Sequence, residues 1–237
     1  MNGSQVVMIT GAAGQLGRAV AAAFGAQGAK LVLVDRERAV LEAAYEAEMF
    51  EPQDSLLLPC NLLDDQAVAG AVEEALRSFG RIDVLCNIAG GFRMGEAVHE
   101  TSDDTWDFLH DINARTLLHA TRAVVPGMLR QGAGCIVNVG AYAALRGVAQ
   151  MGAYTASKST VIRLTEAMSA ELREQGIRVN CVLPSILDTP DNRAAMPGAD
   201  PARWVAPAAL ADVMVFLASD AARAVHGAAL PVTGLSG

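Results

Sequence analysis

Short runs of aliphatic and β-branched residues recur along the chain, separated by longer stretches in which apolar positions repeat every three or four residues. "QVVMIT" (5–10), "KLVLVD" (30–35), "SLLLPC" (55–60), "IDVLCN" (82–87), "CIVNVG" (135–140), "RVNCVL" (178–183) and "AALPV" (228–232) read as strands. Residues 15–27, about 37–49, 64–79, and the stretches near 104–130, 152–175 and 207–218 read as helices. The Asp-rich start of the third helix suits the positive end of a helix dipole. Strands that are apolar throughout are buried on both faces, and their alternation with helices implies a parallel sheet. Right-handed crossovers then favour an α/β fold, a doubly wound sheet of about seven strands with helices on both faces. No linker or repeat divides the chain, so residues 1–237 are expected to form one domain. The least patterned segment, 185–205, is rich in Pro, Asp and Gly and is expected to act as a substrate lid.

Composition narrows the partners. The 237 residues are 52% apolar, enough for a large core, and carry a net charge of -8. Without a Lys/Arg cluster, a nucleic-acid partner is not expected. No apolar run approaches the ~18 residues of a membrane span, and the N-terminus lacks a signal-peptide pattern, so a soluble, cytoplasmic protein is expected. Cys60, Cys86, Cys135 and Cys181 are widely spaced, with no CxxC, and imply neither a disulfide framework nor a metal site.

"TGAAGQLG" (10–17) follows the first strand and opens the first helix. Gly11 permits a tight turn, Gly14 lets backbone approach a pyrophosphate, and Gly17 lets the helix pack closely on the sheet. The helix N-terminus, at Gln15 and Leu16, supplies N–H groups for phosphate. Asp35 ends the second strand, 18 positions after Gly17. A carboxylate there accepts ribose hydroxyls and repels a 2′-phosphate, which favours NAD(H); Arg36 beside it leaves NADP(H) open.

Tyr154 and Lys158, four apart, share a helix face. A neighbouring ammonium would favour phenolate and lower the tyrosine's pKa; a surface tyrosine beside a solvated lysine would show the same spacing. With "TGAAGQLG", "NIAG" (87–90), Asn113 in "DINART", "YTASK" (154–158) and "RVNCVLPSILDT" (178–189), the chain resembles the short-chain dehydrogenase/reductase family over nearly its whole length. The resemblance implies a Rossmann-like fold and hydride transfer. It makes Tyr154 the general acid/base, Lys158 its pKa-lowering and ribose-binding partner, and Asn113 the holder of a relay water. It places Asn87, Ala89 and Gly90 on the adenosine side, Asn61 and Leu62 beside the adenine, and Pro184 and Thr189 near the nicotinamide. It further implies a homodimer or homotetramer and a small-molecule substrate.

One position departs from that family. Its catalytic serine lies thirteen residues before the tyrosine, and here that position is Ala141. Ser157 lies within the Tyr–Lys motif, where it suits packing, and Tyr142 is expected to point to the opposite side of its strand. "GAYAALRGVAQMGAYTASK" with "LDTPDNRAAMPGADPARW" (187–204) and "AGGF" (89–92) resembles the quinonoid dihydropteridine reductase branch of the family, which tolerates this loss. A conjugated ring spreads incoming charge, so a donor aimed at one oxygen matters less. A simple carbonyl/alcohol substrate, a conjugated one, and a non-catalytic NAD-binding role all stay open. Phe92, Met94, Met151, Met196 and Trp204 are candidates for an apolar substrate pocket.

Overall fold

The computed structural model describes residues 4–45 and 53–236. Its strands are β1 (Val6–Thr10), β2 (Lys30–Asp35), β3 (Ser55–Pro59), β4 (Val84–Asn87), β5 (Gly134–Val139), β6 (Ile177–Pro184) and β7 (Ala229–Val232). They form one sheet in the order β3-β2-β1-β4-β5-β6-β7 with every neighbouring pair parallel. All seven expected strands are present, each within two residues of its expected limits.

Successive side chains on these strands enter two different cores. Val7, Ile9, Leu31, Leu33 and Cys86 face α1 (Gln15–Gly25) and α8 (Pro207–Ala218), meeting Val20, Phe24, Leu210 and Met214. Met8, Val32, Leu85, Ile136 and Val179 face α3 (Asp65–Phe79), α5 (Thr116–Gln131) and α6 (Gly152–Leu172), meeting Val72, Leu117, Val124 and Val161. Burying each such side chain stabilises the fold by roughly 1.5–3 kcal/mol, which fixes the strand register that aims the functional loops.

Local sequence sets the helix ends. The Asp64 side chain accepts from the N–H groups of Gln66 and Ala67, and Gly80 closes α3 in the left-handed conformation. The helix expected over about 37–49 is α2 (Arg38–Ala44) as far as it is described; residues 46–49 lie outside the described residues. The helix expected near 104–130 is two: α4 (Asp103–His110) and α5, separated by a π-helical turn at Asp111–Arg115 that carries Asn113. The segment 185–205 is more ordered than its composition implied. Thr189 caps α7 (Pro190–Ala195), with Pro190 in its first turn, and a parallel bridge joins Leu187 to Val205.

Strand order reverses between β1 and β4, because the chain builds outward from β1 to β3 and then returns to β1's other side. In such sheets the crevice beyond the carboxyl ends of the strands at this reversal is the binding position. Thr10, Asn87, Val139 and Pro184 end four of these strands on that edge.

Candidate active site

The first turn is shaped by what its glycines lack. Gly11 has φ +66°, and a Cβ there would sit 2.8 Å from the Ala89 nitrogen. A Cβ at Gly17 would overlap the Gly11 carbonyl oxygen and lie 2.7 Å from Ala12 Cα. Gly14 caps α1 without a side-chain hydrogen bond, which leaves the first-turn amides available to an anion. Asp35 is tied to this turn. Its Oδ2 accepts from the Ala13 N–H at 2.9 Å and its Oδ1 from the Arg36 N–H at 2.7 Å; each oxygen keeps a lone pair for a further donor. The buried Tyr45 hydroxyl, donating to the Ala12 carbonyl at 2.6 Å, braces the same turn. The Thr10 hydroxyl accepts from the N–H groups of Ile88 and Ala89, joining β1 to the loop after β4. Asn87 is buried and donates to Asn138, while its Oδ1 has no partner among the described residues. Glycine turn, uncapped helix end, acidic strand end and orphaned acceptor together fit a dinucleotide.

At the other side of the crevice, Tyr154 and Lys158 start α6. The Lys158 ammonium is buried and donates to the Val139 carbonyl at 3.0 Å. Burial lowers its pKa from 10.5 to about 8. Burial also raises Tyr154, to about 12. This corrects the expectation of a lowered phenol: the ammonium spends itself on a carbonyl, and desolvation decides the tyrosine's direction. Asn113 spends both amide N–H groups, on the Gly91 carbonyl and on Ser157 Oγ at 3.0 Å each, and accepts from the Gly91 N–H at 2.9 Å. Its side chain thus clamps the loop after β4 onto α6. Ser157 is fully buried, accepts from Asn113 and donates to the Tyr154 carbonyl.

Tyr154 lines a cavity of about 170 Å³, together with Met94, Leu109 and Met151 and the polar Arg93, Glu96, Thr101, Thr105 and Gln150. Phe92 packs edge-on against the Tyr154 ring, centroids 4.8 Å apart. Of the five expected pocket residues, Met94 and Met151 line this cavity. Met196 and Trp204 do not, and Trp204 is buried against the turn at Gly234. Ala141 is buried and places no hydroxyl in the crevice. Tyr142 does not lie on a strand: β5 ends at Val139, and Tyr142 opens a 3₁₀ turn, Tyr142–Leu145.

The polar lining escaped sequence reasoning. Glu96 and Met151 meet across an isolated parallel bridge between segments more than fifty residues apart, which no local pattern announces. Gln150 has φ +61°, the sole positive φ outside glycine among the described residues. Such strain costs about 1–3 kcal/mol and gathers at functional sites. Thr101 Oγ1 donates to the Ala97 carbonyl and Thr105 Oγ1 to Glu96. Besides the Tyr154 phenol, the Gln150 carboxamide is a neutral donor of the wall with no hydrogen bond to another described residue.

The remaining expected site residues are dispersed along the same edge. The Leu62 carbonyl is met by His119 Nδ1, and Asn61 accepts from the Leu63 N–H. Thr189 Oγ1 accepts from the Asn192 N–H. Among the described residues no group of three or more His, Cys, Asp or Glu could hold a metal, and no helix is long and apolar enough to cross a membrane.

Lys158 gives a stability prediction. A lysine whose pKa falls on folding holds its proton less tightly in the native state, so stability rises with pH between the folded value and the unfolded one. That window runs from about 8 to 10.5. Below it the native state carries the whole cost, of order 3 kcal/mol. Denaturant unfolding of wild type and Lys158→Met across this range should show wild type gaining on the variant by that amount. A difference that stays flat with pH would contradict the assignment.

Similarity to known proteins covers the whole of this architecture. A family model described as enoyl-(acyl carrier protein) reductase matches residues 11–234. The chain is 34% identical over 244 residues to 2-(R)-hydroxypropyl-CoM dehydrogenase of Xanthobacter autotrophicus, covering 98% of each. Among solved structures it is similar to NAD+-bound xylitol dehydrogenase, with TM-score 0.89, 29% identity, and coverage of 97% of this chain and 98% of that one. It is also similar to a 3-ketoacyl-(acyl-carrier-protein) reductase from Brucella melitensis complexed with NADH, with TM-score 0.87, 30% identity and coverage of 98% of both.

Proposed function

The chain belongs to the short-chain dehydrogenase/reductase family of NAD(P)-dependent oxidoreductases, and we propose that it transfers hydride between NAD(H) and a small carbonyl or alcohol substrate, with Tyr154 as proton donor. The observation that carries this reading is a phenol lining a small cavity, on the helix whose buried Lys158 ammonium lies beside Gly90 of the loop after β4. When bound, the nicotinamide supplies the hydride. The turn from Gly11 to Gly17 would hold its pyrophosphate, Asp35 a ribose and Lys158 the second ribose. Leu62 and Asn61 would border the adenine, and Pro184 and Thr189 the nicotinamide.

The chain's own groups define the rest. A phenol pushed up to about 12 is protonated at neutral pH, so Tyr154 is poised to donate a proton to a substrate oxygen. Lys158, near 8, keeps substantial positive charge at pH 7 and draws electron density from the site. Phe92 fixes the phenol ring from its edge, which holds the hydroxyl's direction. Ala141 leaves the substrate oxygen without the family's serine donor, and the Gln150 carboxamide, which lines the same cavity as Tyr154, is the candidate to replace it. The segment 185–205 is the lid, its two ends held by the Leu187–Val205 bridge and its body by a bidentate Arg193–Asp188 pair at 2.6 and 2.8 Å. We assign the protein to the cytoplasm as a homodimer or homotetramer.

The test is NADH oxidation over a panel of aldehydes, ketones, oxo acids, imines, quinones and quinonoid dihydropterin. Turnover of carbonyls supports the reading. Turnover confined to the dihydropterin would move the substrate to the conjugated class, as Ala141 allows. NADH bound but never oxidised would make the protein a binding module. In the same experiments NADH is expected to bind more tightly than NADPH, because the Asp35 carboxylate repels a 2′-phosphate. Titration by NADH fluorescence checks this, and tighter NADPH binding would reverse the assignment of Asp35.

A further inference from the structure

The wall of the cavity beside Tyr154 includes an exposed cation, Arg93, whose guanidinium makes no hydrogen bond to another described residue. Gly91 has no Cβ, and one placed there would come within 3.2 Å of the Phe108 ring. That space lets Phe108, from α4, pack under the loop after β4. The Arg93 guanidinium lies over this ring, 3.7 Å from its centroid. Stacking occupies the flat face of a guanidinium and leaves its in-plane N–H fork free for a planar acceptor. No hydrogen bond or ion pair joins Arg93 to another described residue.

The other charge in the wall is already engaged. Glu96 Oε2 accepts from the Ser102 N–H at 3.2 Å and its Oε1 from Thr105 Oγ1 at 3.1 Å. These contacts lie at the N-terminus of α4, where Ser102 is the cap and negative charge is stabilised by the helix. Glu96 is therefore part of the wall, and Arg93 is the cation left for a ligand. The same wall carries the apolar Met94, Leu109 and Met151.

We propose that Arg93 seats a carboxylate, and that the substrate is a short-chain oxo or hydroxy acid whose reacting carbon lies at Tyr154. This rests on the reading of Tyr154 as the proton donor. The cavity, about 170 Å³, is smaller than the roughly 300–1,000 Å³ of sites for drug-sized ligands and suits a chain of a few carbons better than a fused ring. A forked guanidinium–carboxylate contact supplies both affinity and orientation, so the carboxylate end fixes which carbon reaches the phenol.

The experiment titrates the NADH-saturated protein with unbranched carboxylates from propanoate to octanoate, each beside its primary amide, by calorimetry. At the best chain length the acid is expected to bind at least about tenfold more tightly than the amide, some 1.4 kcal/mol. Arg93→Gln should erase that preference and leave amide binding unchanged; Arg93→Lys, which keeps charge without the fork, should retain part of it. Equal affinity for acid and amide at every length, or a preference that survives Arg93→Gln, would overturn the proposal. Arg93-dependent acid binding with no reduction of any oxo acid would sink the hydride-transfer reading instead. Equal reduction of oxo acids and their methyl esters would sink the Arg93 assignment alone.

Discussion

Replacing Tyr154 by Phe is expected to lower turnover by about 10²-fold or more while leaving the fold and dinucleotide binding intact. General acid catalysis by a positioned side chain is worth about 10²–10⁴ in rate, or roughly 2.7–5.5 kcal/mol of barrier. The substitution is unusually clean here. The phenol hydroxyl makes no hydrogen bond to another described residue, and its ring contact with Phe92 survives in phenylalanine. Thermal unfolding should therefore change little, and NADH affinity should stay within about twofold. Steady-state kinetics on any substrate found in the panel, with an NADH titration of the same sample, checks both halves. Unchanged turnover would remove Tyr154 from the mechanism.

The second large effect is on the first turn. In Gly17→Ala the added Cβ meets backbone, the Gly11 carbonyl and Ala12 Cα, neither of which can swing aside as a side chain could. Overpacking of this kind costs about 1–3 kcal/mol, equivalent to roughly 2–4 °C in melting temperature per kcal/mol at this chain length. Relief requires the turn to move, and the turn is what would cradle the pyrophosphate, so NADH affinity should fall at least about tenfold, some 1.4 kcal/mol. Gly70, within α3, is the control: its Cβ would meet nothing within 4 Å. Gly70→Ala should stabilise by about 0.4–1 kcal/mol and leave NADH binding unchanged. Differential scanning calorimetry with fluorescence titration distinguishes the two, and a Gly17→Ala protein that binds NADH normally would contradict the account of the turn.

Much of the frame was readable before the structure because the physics that builds it is local or periodic. Strands buried on both faces must be apolar throughout, and "VVMIT" or "KLVLVD" cannot hide that. Asp64 and Gly80 mark the ends of α3 through hydrogen bonds and a left-handed φ belonging to those residue types. The Tyr154–Lys158 pair was visible because four residues make about one helical turn. What stayed hidden depends on contacts between distant segments. The π-helical turn at Asp111–Arg115 keeps a helical periodicity on both sides, so 104–130 reads as one helix. The Thr189-Pro190 capping signal lay in plain view within 185–205, but the polar composition around it outweighed it.

The chemistry of the site was less legible than its residues. The spacing puts Lys158 and Tyr154 on one helix, yet their pKa directions follow from burial, which spacing alone does not carry. The cavity wall is assembled from the loop after β4, the start of α4 and the residues before α6. Arg93 and Gln150 become meaningful only once the Glu96–Met151 bridge brings those pieces together. Gln150 in particular carries its information in a backbone angle, and a glutamine among polar and small neighbours gives no hint of it.

A crystal structure of the protein with NADH bears most directly on the central claim, that one crevice brings together the glycine turn, the buried lysine and the phenol. The account predicts dinucleotide lying across the carboxyl ends of β1 and β4, Lys158 turned from the Val139 carbonyl to a ribose hydroxyl, and the Tyr154 hydroxyl beside the nicotinamide. Bound NADH with the Tyr154 hydroxyl facing away from the nicotinamide, or with Lys158 still held by Val139 and no ribose within its reach, would contradict it.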